Sequence, residues 1–173
     1  MERQPTLRGP GVTLRPLRSG DWDGLFAVAQ DPQIWVQHPM RTRWQEPVFR
    51  AFFDDAMAAG GALAIIDTDT GRVAGSSQIR PHPLDSQEIE IGWTFIARSY
   101  WGGGLNATVK RLMIGHVLET RDRVVFRVGD SNFRSRNAME KIGARLTDAV
   151  QTGEVDGRPV CHVVYEITRA MYA

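Results

Sequence analysis

The segment EIEIGWTFIARSYWGGGLNA, residues 88–107, decides how this chain is interpreted. Apolar and polar residues alternate over 88–95, which predicts a strand with one buried face, formed by Ile89, Ile91, Trp93 and Phe95. Three glycines follow at 102–104, and apolar residues at helical spacing then predict a helix to about Thr120. Glycines ahead of a helix let several backbone N–H groups point outward, and such a turn binds anions such as a pyrophosphate.

Two known phosphate-binding patterns differ from this segment. The phosphate loop GxxxxGK[ST] is absent, which argues against an ATPase. The dinucleotide pattern GxGxxG/A is formally matched by Gly102, Gly104 and Ala107, but it should directly follow a buried, apolar parallel strand. Here residues 96–101 intervene, and the strand carries two glutamates. There are two weaker alternatives to an anion-binding loop of this kind. One is a nicotinamide-dependent enzyme, and the other is a glycine turn that only lets the helix pack.

The rest of the chain predicts one α/β domain over residues 1–173, with a loose N-terminal arm at 1–11. The element order is β-α-α-β-β-β-α-β-α-β-β, with helices at about 21–30, 46–59, 104–120 and 131–142, the last one capped by Asp130 or Ser131. Strands are predicted at 12–15, 63–66, 73–79, 88–95, 124–128, 146–151 and 160–167. Short turns make the strands from 63 to 95 antiparallel, whereas 88–95 and 124–128 form a parallel crossover around a helix.

Composition narrows the choice of partners and compartment. The chain has 173 residues and a net charge of +1, so no basic surface for nucleic acid is indicated. Its single cysteine, Cys161, cannot form an internal disulfide, and no metal-ligand cluster is visible, so a cytoplasmic protein without a metal is expected. Met1 to Gly11 lacks the apolar core of a signal peptide, and no apolar run is long enough to cross a membrane.

Four segments, in this order, resemble the GNAT acetyltransferase superfamily and, within it, the branch of ribosomal-protein-alanine N-acetyltransferases. They are EIGWTF at 90–95, YWGGGL at 100–105, NFRS at 132–135 and EKIG at 140–143. The resemblance is dense over 88–143, and the order of elements fits the whole chain. It implies a mixed sheet that is splayed between strands 88–95 and 124–128.

The resemblance also implies that acetyl-CoA lies in this splay. The backbone of 95–97 would meet the pantetheine arm, the 102–107 loop the pyrophosphate, and Ser135 the sulfur. The implied cofactor-binding residues are Phe95, Ile96, Ala97, Trp101, Gly102, Gly103, Gly104, Leu105, Asn106, Ala107, Asn132 and Ser135, with Arg98, Arg134 or Arg136 as further candidates for the phosphates. Trp101 and Asn106 depart from the family loop, Gln/Arg-x-x-Gly-x-Gly/Ala.

Acetyl transfer to an amine needs a base, because the amine must lose a proton. Glu90 is the first choice, with Glu88 and His38 in reserve, although a strand carboxylate in a salt bridge is an equally simple interpretation of Glu90. Many members of the superfamily use a tyrosine as the acid where this chain has Met139. The resemblance therefore assigns to Ser135 the hydrogen bond to the sulfur.

These residues predict an acetyl-CoA-dependent N-acetyltransferase that acts on a primary amine by direct attack in a ternary complex. The acceptor would be a protein N-terminus, a peptide or a small amine, in a pocket lined by Trp35, His38 and Trp44. A non-catalytic acyl-CoA-binding module is the alternative. The aromatic residues in 93–101 also leave a homodimer open.

Overall fold

The computed structural model describes residues 1–83 and 85–172, except for the side chain of Ser86. Its strands are β1 (Leu7–Gly9), β2 (Val12–Pro16), β3 (Ala62–Asp67), β4 (Val73–His82), β5 (Asp85–Ile96), β6 (Arg123–Gly129), β7 (Arg145–Val155) and β8 (Arg158–Thr168). Its helices are α1 (Trp22–Ala29), α2 (Glu46–Ala59), α3 (Leu105–Leu118), α4 (Phe133–Lys141) and α5 (Arg169–Tyr172).

One mixed sheet contains all of these strands, in the spatial order β1-β2-β3-β4-β5-β6-β8-β7. Every neighbouring pair is antiparallel except β5 and β6, which run parallel because α3 crosses over between them. The predicted α/β class and the predicted crossover are therefore confirmed. None of the helices in the described part of the chain is long and apolar enough to cross a membrane.

Two apolar clusters cover the sheet. The first brings Val109 and Met113 of α3 against Ile91 of β5 and Phe126 of β6. The second packs α1 and α2 together through aromatic residues, among them Phe49, whose ring centroid lies 5.6 Å from that of Phe95. Burial of these large side chains is the main stabilising term for both helix layers.

A β-bulge interrupts β5 just before its end. Ser76 and Gln78 are two residues apart on β4, but their partners on β5, Phe95 and Gly92, are three residues apart. Strand β5 therefore carries one extra residue. Trp93, inside the bulge, has a positive φ of 53°. The extra residue reverses the alternation, so the prediction that Phe95 shares a face with Ile91 is wrong: Phe95 packs with α1 and α2.

The parallel pair β5–β6 is very short. Only Ile89 with Val124 and Glu90 with Val125 are in register, although both strands continue for several residues beyond these pairs. Past Glu90 the two strands separate and leave a cleft between the end of β5 and the end of β6. This is the splayed sheet that was predicted.

The N-terminal segment is more ordered than the loose arm expected at 1–11. β1 pairs with β2 across a tight turn at Gly11, whose φ of 70° suits glycine. Upstream, Arg3 donates to the carbonyl of Ala59 at 2.9 Å. The cap of α4 also differs from expectation: Asn132, rather than Asp130 or Ser131, accepts the hydrogen bond of the first turn.

Most of the aromatic residues in 93–101, which left a homodimer open, make contacts within the chain. The Arg80 guanidinium lies 4.4 Å from the centroid of Trp93, and Phe95 is only 4% exposed. The Tyr100 hydroxyl donates to Asp67. Trp101 remains exposed.

Gly75 packs directly against the last residues of β5, and we expect Gly75→Ala to destabilise the protein. A Cβ there would lie 2.0 Å from the Phe95 carbonyl oxygen and 3.0 Å from the Ile96 Cα. Urea denaturation should show a loss of about 1–3 kcal/mol in the free energy of unfolding. Gly20→Ala, where nothing lies within 4 Å, is the control and should stay within about 0.5 kcal/mol of the parent. Equal stability of the two variants would contradict this packing.

Candidate active site

The end of β5 offers one residue's backbone to the cleft. Ala97 uses both of its groups inside the protein, since its N–H donates to Ala74 and its carbonyl accepts from Tyr100. The Phe95 carbonyl faces Gly75 on β4. The backbone N–H and carbonyl groups of successive residues in a strand point to opposite edges of that strand. The N–H and carbonyl of Ile96 therefore face away from β4, toward the cleft. Of the three predicted backbone contacts, Ile96 is therefore the one that this geometry leaves available.

Trp101 and Arg134 span the cleft next to Ile96. The Trp101 indole N–H donates to the Ile96 carbonyl at 3.1 Å, and the Arg134 guanidinium lies 4.1 Å from the Trp101 ring centroid. Arg134 also donates to the carbonyl of Ile34 at 2.7 Å. Trp101, one of the two departures from the family loop, thus caps the backbone edge of β5. Arg98 is held by Asp31 in an ion pair.

The glycine loop leads into α3 without a side-chain cap. Gly102 and Gly104 have φ of 78° and 85°, which favours glycine, and no atom lies within 4 Å of a Cβ built on either one. Gly104 is the N-cap of α3 and has no side chain to accept from the first turn. The N–H groups at 105–107 therefore have no intrahelical acceptor, and the loop is open enough to take an anion.

Asn132 and Ser135 lie at the other wall of the cleft, at the start of α4. The Asn132 side-chain oxygen accepts from the Ser135 backbone N–H at 3.2 Å, and Asn132 is 8% exposed. In the described part of the chain nothing accepts from the Asn132 amide NH₂, and nothing hydrogen-bonds to the Ser135 hydroxyl. Both groups are therefore free to contact a ligand.

No described tyrosine takes the place of Met139, which is itself 3% exposed and part of the core. The chain has three tyrosines. Their hydroxyls are all engaged: Tyr100 with Asp67, Tyr165 with Arg136 and Glu140, and Tyr172 with the carbonyl of Arg111.

Glu90 sits where β5 and β6 part, in an ion pair. Arg127 donates to Glu90 at 2.8 Å and to Glu88 at 2.6 Å, and the Glu90 side chain is 14% exposed. Burial raises the pKa of Glu90, while the charge and hydrogen bonds of Arg127 act against that rise. Sequence reasoning missed Arg127, whose signal was a single arginine inside the apolar strand 124–128.

Lys110 is a second charged residue that sequence reasoning missed. It is 3% exposed, its Nζ donates to the Thr94 hydroxyl at 2.6 Å, and it lies 5.7 Å from the Phe126 ring centroid. These contacts place the amine between the separated strands. Burial lowers the pKa of Lys110 to about 7, with the negative charge of Glu90 opposing the change. The available signal was a lysine three residues before Met113 on an apolar helix face.

His38 is poorly suited to be the base that the sequence suggested. Its Nδ1 accepts from the Met40 backbone N–H at 2.9 Å, so the neutral ring carries its hydrogen on Nε2. Burial and the nearby Arg43 charge lower the pKa of His38 to about 3. At neutral pH the ring is therefore uncharged, and its Nδ1 lone pair is occupied by the Met40 N–H.

Neither of the two tryptophans expected in the acceptor pocket lines a cavity that is described below. Trp35 is 2% exposed, donates to the Ala29 carbonyl at 2.7 Å and packs on Phe95, so it belongs to the core. Trp44 is 38% exposed on the surface and does not line either cavity described below.

His38 does line a cavity of about 330 Å³ at the carboxyl end of β6. Its other lining residues come from the loop after His38, from the end of β6 and from the β7–β8 hairpin: Pro39, Arg41, Asp130, Ser131, Thr152, Gly153, Val155, Arg158, Pro159, Val160 and Cys161. A larger cavity, of about 680 Å³, lies between α1 and residues 97–99, and the predicted site residues that line it are Ala97 and Arg98.

Comparison with known proteins agrees with this geometry. Similar solved structures include a GCN5-related N-acetyltransferase from Brucella melitensis (21% identity, TM-score 0.80, covering 97% of this chain and 80% of that chain). An acetyltransferase from Agrobacterium tumefaciens str. C58 has 26% identity and a TM-score of 0.72, with 95% of each chain covered. RimJ from Mycobacterium smegmatis, in complex with CoA-disulfide, has 22% identity and a TM-score of 0.74, covering 96% of this chain and 87% of that chain.

Among curated proteins, none matches this chain. The family model described as an acetyltransferase (GNAT) domain matches residues 12–145, which is most of the chain. Together with the split sheet and the open loop before α3, this match shows that the chain belongs to the GNAT family of acetyl-CoA-dependent acetyltransferases.

Proposed function

We propose that this enzyme moves an acetyl group from acetyl-CoA to the primary amine of a protein N-terminus, a peptide or a small molecule. The observation that carries the proposal is the cleft between β5 and β6. It has the backbone of Ile96, whose carbonyl is bonded by the Trp101 indole, an uncapped helix start at Gly104 and a carboxylate at Glu90. The single cysteine of the chain favours a reducing compartment, and we place the reaction in the cytoplasm.

The donor would lie along the cleft, held by groups at its two walls. The N–H groups at 105–107 would take the pyrophosphate, because they are the uncapped positive end of a helix dipole. Ile96 would bond the pantetheine arm once the Trp101 indole has released its carbonyl. The free amide NH₂ of Asn132 would contact the arm from the opposite wall.

Glu90 is the residue we propose as general base. It is close to the point where the strands part, and its raised pKa suits proton transfer better than an ordinary exposed carboxylate does. Arg127 holds the carboxylate in place. The Ser135 hydroxyl, free of other partners, would donate a hydrogen bond to the departing sulfur.

Thermal unfolding with acetyl-CoA, CoA and NADH in parallel tests the donor. A ligand at 100 times its Kd adds about 2.7 kcal/mol, which in a domain of this size raises the Tm by several degrees. We expect that rise with acetyl-CoA and with CoA, and none with NADH. A protein that NADH stabilises and acetyl-CoA does not would contradict the proposal.

Glu90→Gln tests the base, with Glu88→Gln as its matched control. Both residues bond Arg127, but Glu90 is the one next to the cleft. We expect Glu90→Gln to lower kcat by about 100-fold or more while the stabilisation by acetyl-CoA is kept, and Glu88→Gln to change kcat much less. Comparable losses in the two variants would assign Glu90 to the ion pair alone. If acetyl-CoA binds and no amine is acetylated, the non-catalytic binding module is the better description.

The pH profile gives a second signature of Glu90. Its active form as a base is the carboxylate, and burial raises its pKa above the ordinary value of 4.5. The rate should therefore fall as the pH drops through that raised pKa. In Glu90→Gln this acid limb should disappear from the profile of kcat.

A further inference from the structure

We infer that the acceptor carries a carboxylate a few bonds from its amine, and that Arg41 and Arg158 bind this carboxylate. The ligand class is an amino acid, or a peptide with an acidic residue at its N-terminus. The inference rests on the proposed function, because it names the substrate class for the same enzyme. It is carried by the charges that line the cavity of about 330 Å³.

The cavity shares the β6–α4 connection with the cleft. Its floor includes Asp130 and Ser131, which directly connect the end of β6 to Asn132 at the start of α4. Pro39 closes over the end of β6, since a Cβ on Gly129 would lie only 2.9 Å from its ring. An amine bound at Asp130 would thus lie at the residue that leads into α4, the helix that carries Ser135.

Arg41 and Arg158 differ from the other arginines around the cleft. Arg127 is paired with two glutamates, and Arg134 with a backbone carbonyl and an indole ring. Within residues 1–83 and 85–172, neither Arg41 nor Arg158 has an ion pair, a side-chain hydrogen bond or a ring contact. Two guanidinium groups on one cavity without partners are suited to an external carboxylate, which their planar N–H groups bind in pairs.

Asp130 supplies the opposite charge on the same cavity. It is the only acidic residue of the lining, and nothing in the described part of the chain hydrogen-bonds to its carboxylate. His38 is neutral there because its pKa is about 3. The lining therefore presents two positive groups and one negative group, which matches a molecule with one ammonium and one carboxylate and repels a polyamine.

The test compares acceptors that differ only in the carboxylate. A thiol-release assay would use a free amino acid against its C-terminal amide, a peptide starting with Asp against one starting with Asn, and spermidine as the polycation. In one of the two pairs, we expect kcat/KM to be at least about 10-fold higher for the compound with the carboxylate than for the compound with the amide. The pair that shows this difference identifies the source of the carboxylate. Spermidine should be the poorest acceptor.

Arg41→Gln and Arg158→Gln show whether the two arginines cause the preference. Because amidation also changes the pKa of the amine, the quantity compared is the acid-to-amide ratio of kcat/KM in each variant. We expect this ratio to fall about 10-fold in either variant, mainly through KM for the acid, while KM for acetyl-CoA is unchanged. Arg8→Gln, an exposed arginine on β1 at the far edge of the sheet, is the matched control.

Three results would overturn the inference. One is an acid-to-amide ratio that is equal in the parent and both variants. Another is a rise in KM for acetyl-CoA, which would assign the two arginines to the phosphates of the donor. The third is acetyl-CoA binding without acetylation of any amine in the panel, in which case the proposed function fails first and the acceptor class with it.

Discussion

The separation of β5 from β6 after two paired residues is the constraint on which the rest of the structure depends. Had pairing continued, the Ile96 backbone would be satisfied by β6 and the molecule would have no cleft. Two features keep the strands apart. The bulge at Trp93 redirects the end of β5 toward α1 and α2, and the Lys110 side chain fills the space between Thr94 and Phe126. The same separation sets the start of α3 and the start of α4 on opposite sides of one opening.

Several charged side chains cluster at this opening. Glu88, Glu90 and Arg127 form one group at the last paired residues, and Lys110 lies just beyond them. Taking such groups out of water offsets most or all of their mutual attraction, so even a hydrogen-bonded buried pair adds little to the stability of a fold. They lie where β5 and β6 part, which is the place where the proposed proton transfer would need them.

Much of the fold could be predicted because hydrophobic periodicity reports it directly. The strand alternation over 88–95 and the glycines at 102–104 located the crossover and the open loop. The bulge could not be seen, because Trp93 and Phe95 continue an apolar alternation that the backbone breaks. The partners of the side chains could not be predicted either, because they depend on tertiary contacts rather than on spacing. Examples are the Met40 N–H that fixes the ring of His38 and the arginine that holds Glu90. Trp35 was misplaced because its aromatic character suits a pocket and a core equally well.

The two residue pairs that join β5 to β6 form a short seam, and this seam has a consequence for how the protein unfolds locally. Strands β1 to β5 follow one another as antiparallel neighbours, and β6, β8 and β7 form a second antiparallel group. Backbone hydrogen bonds between the two groups are confined to the seam, so the rest of their connection comes from α3, from the apolar cluster beneath it and from the bonds of Arg123 and Arg127 to the two glutamates of β5. Cooperative units in proteins often follow such boundaries. Amide hydrogen exchange should thus divide the sheet into two protected blocks, and a ligand in the cleft, by bonding to both, would merge them into one.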